Sequence, residues 1–388
     1  MDNWNQETDR ERNTKLFAVL CQVLRKEPSP AAMPLTPDEF DVLLKLSKQH
    51  EVQPIAAYGL LLAGGLTKEQ ELRCRGIVYR TLAYHERMER ELSRTCSLLE
   101  EARIPYMPLK GAVIRKLYPE PWLRTSGDID ILVRNVDEAE KWLSEHGYSF
   151  KEKSSHDVTL ISPEGMILEL HYQLIDTDLQ AVTVLEQVWE YAVPREGTHH
   201  YEMEPECFYL YHIAHMVKHL VGRGCGIRFF ADIWLMTETL PMDKEKKCRL
   251  LQNSGLLTFA EQAELLSQAW FGDRQPDAYP RELEAFVLMS GIFGNVSSKL
   301  TLNRAKTDNV ADYFVKRIFK PYDKMVLKYP ILRKYPVLLP VFWIRRLAEY
   351  LLSSRKFRLT IQEISENNGL DREQIAAAKR LLQELELL

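Results

Sequence analysis

A short block of strand-like segments inside an otherwise helical sequence most constrains how this chain folds. From residue 104 to about 178, short apolar runs alternate with turns. Before and after the block, apolar residues recur at the three- and four-residue spacing of amphipathic helices. The pattern predicts an α+β protein in which one small mixed β-sheet is flanked by helical regions at both ends.

The same change of pattern divides the 388 residues into four regions. At about 100–200 residues per domain, this length predicts two to three domains. We predict the regions to be an N-terminal helical region, a sheet-containing α/β core, a helical domain and a C-terminal helical region: residues 1–103, 104–178, 179–310 and 311–388.

Composition excludes several classes of protein. The formal net charge of −4 argues against a heavily polybasic protein. No apolar stretch approaches the roughly 18 residues of a transmembrane helix. The polar N-terminus shows no signal-peptide pattern, and the six cysteines are scattered without a CxxC pair. We therefore expect a cytoplasmic protein with reduced thiols and neither a zinc ribbon nor a disulfide framework.

Local signals place elements within and around the core. Apolar runs bounded by turn residues predict four strands: 106–109, 129–133, 158–161 and 166–172. Helices are predicted at 112–117 and 136–146 within the core, and at about 181–191, 205–222, 227–239, 243–254 and 257–270 after it. Thr67 and Gln70 form a capping-box pattern that opens a long amphipathic segment reaching about Arg103, which we expect to be one helix, broken at most once.

Two aspartates at the start of an apolar strand carry the strongest functional signal. Asp128 and Asp130 stand two residues apart, so both carboxylates face the same side of the strand predicted over 129–133. Two carboxylates held together repel each other unless a cation joins them. Mg²⁺ is commonly held by one or two carboxylates together with substrate phosphates. The pair therefore indicates a divalent-cation site.

Neighbouring segments strengthen this interpretation. Lys110 and Gly111 lie where a strand turns into a helix, a position at which free backbone N–H groups bind phosphate. Glu169 and His171 share one face of a later strand, and a third carboxylate there would complete a metal-binding triad. Arg124, four residues before the first aspartate, can neutralise phosphate charge.

These residues resemble a known family. The segment 109–133, with its Lys-Gly pair and its Gly-Asp-Ile-Asp, is similar to the bacterial family of uncharacterised nucleotidyltransferases, within the superfamily typified by DNA polymerase β. The segments 211–219 and 226–232 resemble the helical region of that family. The resemblance implies an ATP- or other NTP-binding transferase that moves a nucleoside monophosphate to a protein hydroxyl, an RNA end or a small molecule.

The resemblance also implies roles for individual residues. Asp128, Asp130 and Glu169 would be catalytic and would hold Mg²⁺ or Mn²⁺. Lys110 and Gly111 would cradle the triphosphate, although the wider superfamily usually has Gly-Ser or Gly-Gly there. Five further positions are expected to contact the nucleotide: Arg124, His171, His215, Arg228 and Asp232.

Structural alternatives stand beside these roles. Arg124 can instead be an ion-pair partner, and Arg228 and Asp232, four residues apart, can simply pair with each other. His212, His215 and His219 share one helical face, which predicts a polar inter-domain face, a contact with nucleotide or acceptor, or a zinc site. The zinc alternative lacks the Glu of the HExxH motif.

A basic segment leaves the acceptor open. Residues 316–358 carry twelve Lys or Arg, only two acids, and interleaved aromatics. Such a segment suits an RNA backbone, an anionic surface or an acidic partner, or it merely solvates short helices. Two other functions therefore compete with catalysis, namely an inactive nucleotide-binding regulatory or scaffold protein and a nucleic-acid-binding module. The oligomeric state is not indicated.

Overall fold

The fold is taken from a computed structural model. It describes residues 14–27, 34–175, 183–222, 224–273, 279–290, 319–320, 322, 325–326, 329–352 and 372–387. The chain forms two compact units. The first comprises residues 1–218 and 225–292, and the second comprises residues 219–224 and 293–388.

Four helices precede the sheet, and two of them begin at capping boxes, one of which is the box predicted at Thr67 and Gln70. They are α1 (14–24), α2 (Pro37–Gln49), α3 (Gln53–Ala63) and α4 (Lys68–Glu101). Thr36 and Thr67 each accept a hydrogen bond from the backbone three residues on, within complete capping boxes. The long helix α4 runs unbroken for 34 residues.

Five strands form one mixed sheet within the described residues. They are β1 (Tyr106–Pro108), β2 (Ile129–Val133), β3 (Ser149–Lys153), β4 (Asp157–Ile161) and β5 (Ile167–His171). Their order is β1-β2-β5-β4-β3. The β2–β5 pair is parallel, and the remaining neighbours are antiparallel. Short helices α5 (Gly111–Ile114) and α6 (Val136–Glu145) follow the first two strands.

The two faces of the sheet differ in chemistry. Alternate strand residues such as Ile131, Val158 and Leu170 enter a core built with α4 and α6. The opposite face carries polar side chains, which are Asp130, Glu169, His171, Asp157 and Thr159. Because side chains alternate along a strand, the apolar residues that anchor the sheet also fix the direction of these polar groups.

The predicted small mixed sheet is confirmed, and two strand-forming segments were missed. Strand β2, helix α6 and the β4–β5 hairpin lie where the sequence places them. Strand β3 was not predicted, because all five of its residues are exposed and it lacks apolar alternation. The helix expected over 181–191 is short: residues 181–182 lie outside the described chain, α7 spans Thr183–Glu186 and a 3₁₀ turn spans Val188–Tyr191. Strands β6 (Ala192–Pro194) and β7 (Tyr201–Met203) form an unpredicted hairpin.

The helices after the sheet follow the sequence closely. They are α8 (Pro205–Gly222), α9 (Ile227–Thr239), α10 (Lys244–Asn253), α11 (Leu257–Phe271) and α12 (Arg281–Ser290). One expectation about α8 is wrong. His212 was placed on a face turned away from the core, yet it is buried against Phe229. Phe229 of α9 packs against a position that periodicity alone assigns to a polar face.

The second unit contains two longer helices in the described residues, α13 (Leu339–Leu352) and α14 (Arg372–Glu384). Aromatic residues of the basic segment form a small core here. Tyr329 packs on Phe342 with ring centroids 4.7 Å apart, and the Trp343 indole donates to the Lys320 carbonyl at 2.9 Å. These rings are used in packing. Residues 316–318, 321, 323–324, 327–328 and 353–358 of the segment lie outside the described chain. Within the described residues, no helix is long and apolar enough to cross a membrane.

Candidate active site

The parallel pairing of β2 with β5 brings together two of the three predicted acids. Asp130 lies directly opposite Glu169 in the register of the two strands. Oxygen or nitrogen atoms of Asp130, Glu169 and His171 lie within 4.8 Å of one another. Asp128 precedes the strand by one residue and is half-buried beside them. Asp130 and Glu169 are therefore adjacent, whereas Asp128 belongs to no group of ligand atoms within 4.8 Å of one another in the described residues.

Asp130 is held as a buried carboxylate by two neighbours. Its Oδ1 accepts a hydrogen bond from Lys110 Nζ at 2.7 Å and lies 2.8 Å from His171 Nε2. Burial acts to raise the pKa of Asp130, but Lys110 and His171 outweigh it and hold that pKa well below its ordinary value. Burial acts to lower the pKa of His171, and its bonds to Asp130 and Glu169 raise it overall.

Asp128 has the opposite electrostatic environment. Burial, followed by the negative charges of Asp130 and Glu169, raises the pKa of Asp128 to about 6. Lys110 opposes this only in part. The cluster therefore carries more negative charge than its own cations balance, which is the condition under which a divalent cation binds favourably.

The turn before α5 has an unusual backbone. Lys110 adopts φ 38° and ψ −111°, in a region of positive φ that favours glycine. Such strain costs of order 1–3 kcal/mol and concentrates at functional sites. Burial acts to lower the pKa of Lys110, but the carboxylates of Asp130 and Asp128 raise it, so the strained turn presents a firmly charged ammonium group beside the acids.

Gly111 is required for close packing. A Cβ at this position would lie 2.8 Å from Ser126 Oγ and 3.1 Å from an Arg124 nitrogen. The sequence predicted that the helix beginning here would offer free N–H groups to phosphate. Instead α5 has four residues, and the N–H groups of Ala112 and Val113 already bond to the carbonyls of Leu109 and Lys110. A phosphate-binding role for Gly111 stays a prediction.

Arg124 forms a buried ion pair across the fold. Its Nε and Nη2 each donate to one oxygen of Asp232 at 2.9 Å, and Tyr118 donates to the same carboxylate at 2.7 Å. The side chains of Arg124 and Asp232 are 5% and 0% exposed. Burial acts to raise the pKa of Asp232, and Arg124 holds it below its ordinary value. Asp232 thus pairs with Arg124, and the local pair with Arg228 predicted as an alternative does not form.

The residues that follow Arg124, in the loop before Asp128, are also bonded by side chains from other parts of the chain. Arg228 pairs with Glu51 and donates to the Thr125 carbonyl at 3.1 Å. Arg115, which the sequence analysis missed, donates to Ser126 Oγ at 2.7 Å and to the Gly111 carbonyl at 2.7 Å.

Helix α4 supplies the last anchor. The Tyr84 hydroxyl donates to the Gly127 carbonyl at 3.3 Å. Four consecutive residues before Asp128 are therefore each fixed by a separate side chain. Arg124, Arg228 and Asp232, which were predicted to contact nucleotide, lie in this scaffold.

The histidines of α8 are not gathered into a metal site in the described residues. His212 Nε2 lies 3.5 Å from the Phe229 carbonyl, and burial lowers the pKa of His212 to about 4. His215 is half-buried, with its ring centroid 5.9 Å from that of Phe229. One turn earlier on α8, Tyr211 is buried. It lies close enough to Lys110 and Asp130 for their charges to act on the pKa of its hydroxyl group. Tyr211 is a second site neighbour that the sequence analysis missed.

Comparison with known proteins agrees with this geometry. A family described as "Uncharacterised nucleotidyltransferase" matches residues 36–272, more than half of the chain. The chain belongs to this family. No curated protein and no solved structure matches it.

The family match extends well beyond the sheet. It begins at α2 and ends after α11, so it includes both the acid cluster and the helix that supplies Asp232. The residues that match the family thus include the helices that hold the loop before Asp128. The predicted resemblance to the family is confirmed. All six cysteines lie in described residues, and none of them forms a disulfide there.

Proposed function

We propose that this nucleotidyltransferase moves a nucleoside monophosphate from an NTP to an acceptor hydroxyl, with Mg²⁺ or Mn²⁺ held by Asp128, Asp130 and Glu169. One observation carries the proposal. Asp130 and Glu169 are paired on adjacent parallel strands, and their charges, with burial, raise the pKa of Asp128 to about 6. An excess of negative charge on oxygen donors fits a hard divalent cation.

In the proposed in-line displacement, each residue of the site has a separate role. The acceptor oxygen attacks the α-phosphorus, the bond to the bridging oxygen breaks, and pyrophosphate leaves. We assign Glu169, whose side chain is 26% exposed, the role of accepting the acceptor proton at its carboxylate. Lys110 supplies positive charge near the phosphates. When bound, Mg²⁺ would neutralise phosphate charge as it builds up in the transition state.

The sheet and its acids also support a proposal about the superfamily. We propose membership in the DNA polymerase β-like superfamily, because a small mixed sheet carrying an Asp-x-Asp strand and a third acid is what that resemblance implies. A bacterial source, binding of ATP in particular and a cytoplasmic location stay predictions. Nucleotide contacts from His171 and His215 also stay predictions. The contacts of Arg124, Arg228 and Asp232 favour positioning of the loop before Asp128 over binding of phosphate.

Pyrophosphate release from each NTP, with protein, RNA ends and small hydroxyl compounds as acceptors, tests the proposal. With an acceptor that supports turnover, Asp130→Asn and Glu169→Gln should each lower the rate by about 10²–10³ or more. Asp137→Asn is the matched control, since this acid is 83% exposed on α6. Unchanged turnover in Asp130→Asn would refute the assignment of the site. Binding of NTP without turnover favours the regulatory alternative, and no binding at millimolar NTP rejects both.

A further inference from the structure

A second group of potential metal ligands lies on the same sheet face, beside the acid cluster. One ligand atom from each of His156, Asp157 and His171 lies within 4.8 Å of the other two. Asp157 stands directly opposite His171 in the β4–β5 register, and His156 precedes it. Backbone hydrogen bonds fix the position of His156 next to the end of β5. Its carbonyl accepts hydrogen bonds from the N–H groups of Tyr172 and Gln173 at 3.0 and 3.2 Å.

His171 is the key residue, because only one of its ring nitrogens is used. Its Nε2 lies 2.8 Å from Asp130 Oδ1. Its Nδ1 is buried and has no hydrogen-bond partner in the described part of the chain. The whole side chain is 1% exposed. A buried polar nitrogen without a partner is rare and calls for an explanation such as an ion or a water molecule.

We propose that His156, Asp157 and His171 form a binding site for Zn²⁺. This site is separate from the Mg²⁺ site and is linked to it only through the ring of His171, which contacts Asp130. Two imidazoles and one carboxylate are a typical ligand set for zinc with one position left open. Nitrogen donors suit Zn²⁺ and similar transition metals better than Mg²⁺.

The distances fit such an ion. Ligands bound to tetrahedral Zn²⁺ at about 2.0–2.1 Å stand roughly 3.3 Å apart. His156 Nε2 and Asp157 Oδ2 are already 3.1 Å apart. The third ligand is His171 Nδ1, since Nε2 of that ring is engaged by Asp130.

Outer contacts also match a metal-bound pair of histidines. Zinc-ligating imidazoles commonly donate their second N–H to a carboxylate or another oxygen, which fixes the ring. His171 would donate Nε2–H to Asp130. His156 Nδ1 lies 3.2 Å from Ser154 Oγ. The ion would thereby lock the ring that holds Asp130, so it acts as a positioning element for the neighbouring site.

The test is direct binding of Zn²⁺ to the full-length protein, measured by competition with a chromophoric chelator and by titration with Co²⁺ as a coloured substitute. One tight site per chain is expected. His156→Gln or Asp157→Asn should weaken it by about 100-fold or more, and Ser154→Ala by about 10-fold. His199→Gln is the matched control, because that imidazole also pairs with one carboxylate, Glu100 at 3.1 Å, but belongs to no group of three ligand atoms within 4.8 Å in the described residues.

Variants of the neighbouring cluster separate this proposal from the proposed function, on which it does not depend. Asp128→Asn and Glu169→Gln should keep the Zn²⁺ site while losing nucleotidyl transfer. Zn²⁺ binding that persists unchanged in both His156→Gln and Asp157→Asn, or that disappears with Glu169→Gln, would overturn it. Absence of binding at micromolar Zn²⁺ would also overturn it. Urea unfolding of each variant checks that a lost site does not reflect a lost fold.

Discussion

The buried ion pair between Arg124 and Asp232 allows a quantitative test of how the loop before Asp128 is held. Both side chains are almost fully buried, and their bidentate contact joins residues 108 positions apart. Replacing Asp232 by Ala leaves the guanidinium buried without its counter-charge. Breaking such a pair typically costs about 3–5 kcal/mol. Since domains are stable by only about 5–15 kcal/mol, we expect a large drop in the free energy of unfolding.

A double-mutant cycle measured by urea unfolding checks this reasoning. Arg124→Met and Asp232→Leu should each be strongly destabilising, whereas the double variant should cost less than their sum by about 2–3 kcal/mol. The exposed pair of Arg73 with Asp41, with N···O 2.7 Å, is the matched control. Its side chains are 46% and 58% exposed, so Asp41→Ala should cost at most about 1 kcal/mol.

Two results would refute the argument. If the two substitutions add to within about 0.5 kcal/mol, the buried residues do not depend on each other. If Asp232→Ala costs no more than the surface control, the pair is not buried in solution as it is in the fold described above. Either outcome would also remove the reason for treating Asp232 as a residue that positions the loop before Asp128.

Three further predictions concern glycine, backbone strain and pH. Gly111→Ala should destabilise the protein by about 1–3 kcal/mol because its Cβ would meet Ser126, whereas Gly127→Ala, with nothing within 4 Å of the new Cβ, should be nearly neutral in the same thermal-unfolding assay. Lys110→Gly should be more stable than Lys110→Ala by about 1 kcal/mol in urea, because both lose the ammonium group and only glycine relieves the positive φ. His212 is buried with a pKa lowered to about 4, so its contribution to stability is present above its ordinary pKa near 6.5 and is lost as pH falls toward 4. Unfolding at a series of pH values should show this loss, at about 3 kcal/mol, and His212→Gln should reduce the slope; an unchanged slope contradicts the assignment.

The parts of the site that depend on local pattern were predictable from the sequence. Asp128 and Asp130 next to an apolar strand determine both the strand and the face on which the carboxylates lie, and β2 is found over the predicted residues. The alternation of polar and apolar residues around Glu169 likewise predicts its direction. Such features need only neighbouring residues, because strand periodicity is a local property.

The parts that depend on long-range pairing were not predictable. Arg228 lies four residues before Asp232 and was the nearest candidate partner, yet Asp232 binds Arg124 from another segment. The burial of His212 depends on the apolar residues of α9, which helical periodicity within α8 does not reveal. Gly111 lies close to Ser126 and Arg124, and a glycine in the sequence does not specify what approaches it.

The loop contacts explain why a catalytic sheet needs its helices. Arg124, Thr125, Ser126 and Gly127 are each bonded by a side chain from outside the sheet. Asp128 follows directly, and its carboxylate is repelled by the two acids beside it, so an unsupported loop would move away from them. Because α4 and α9 oppose that repulsion, the acids stay close enough together to hold the cation of the proposed function. The helical half of the family match is therefore part of how the acids are held together.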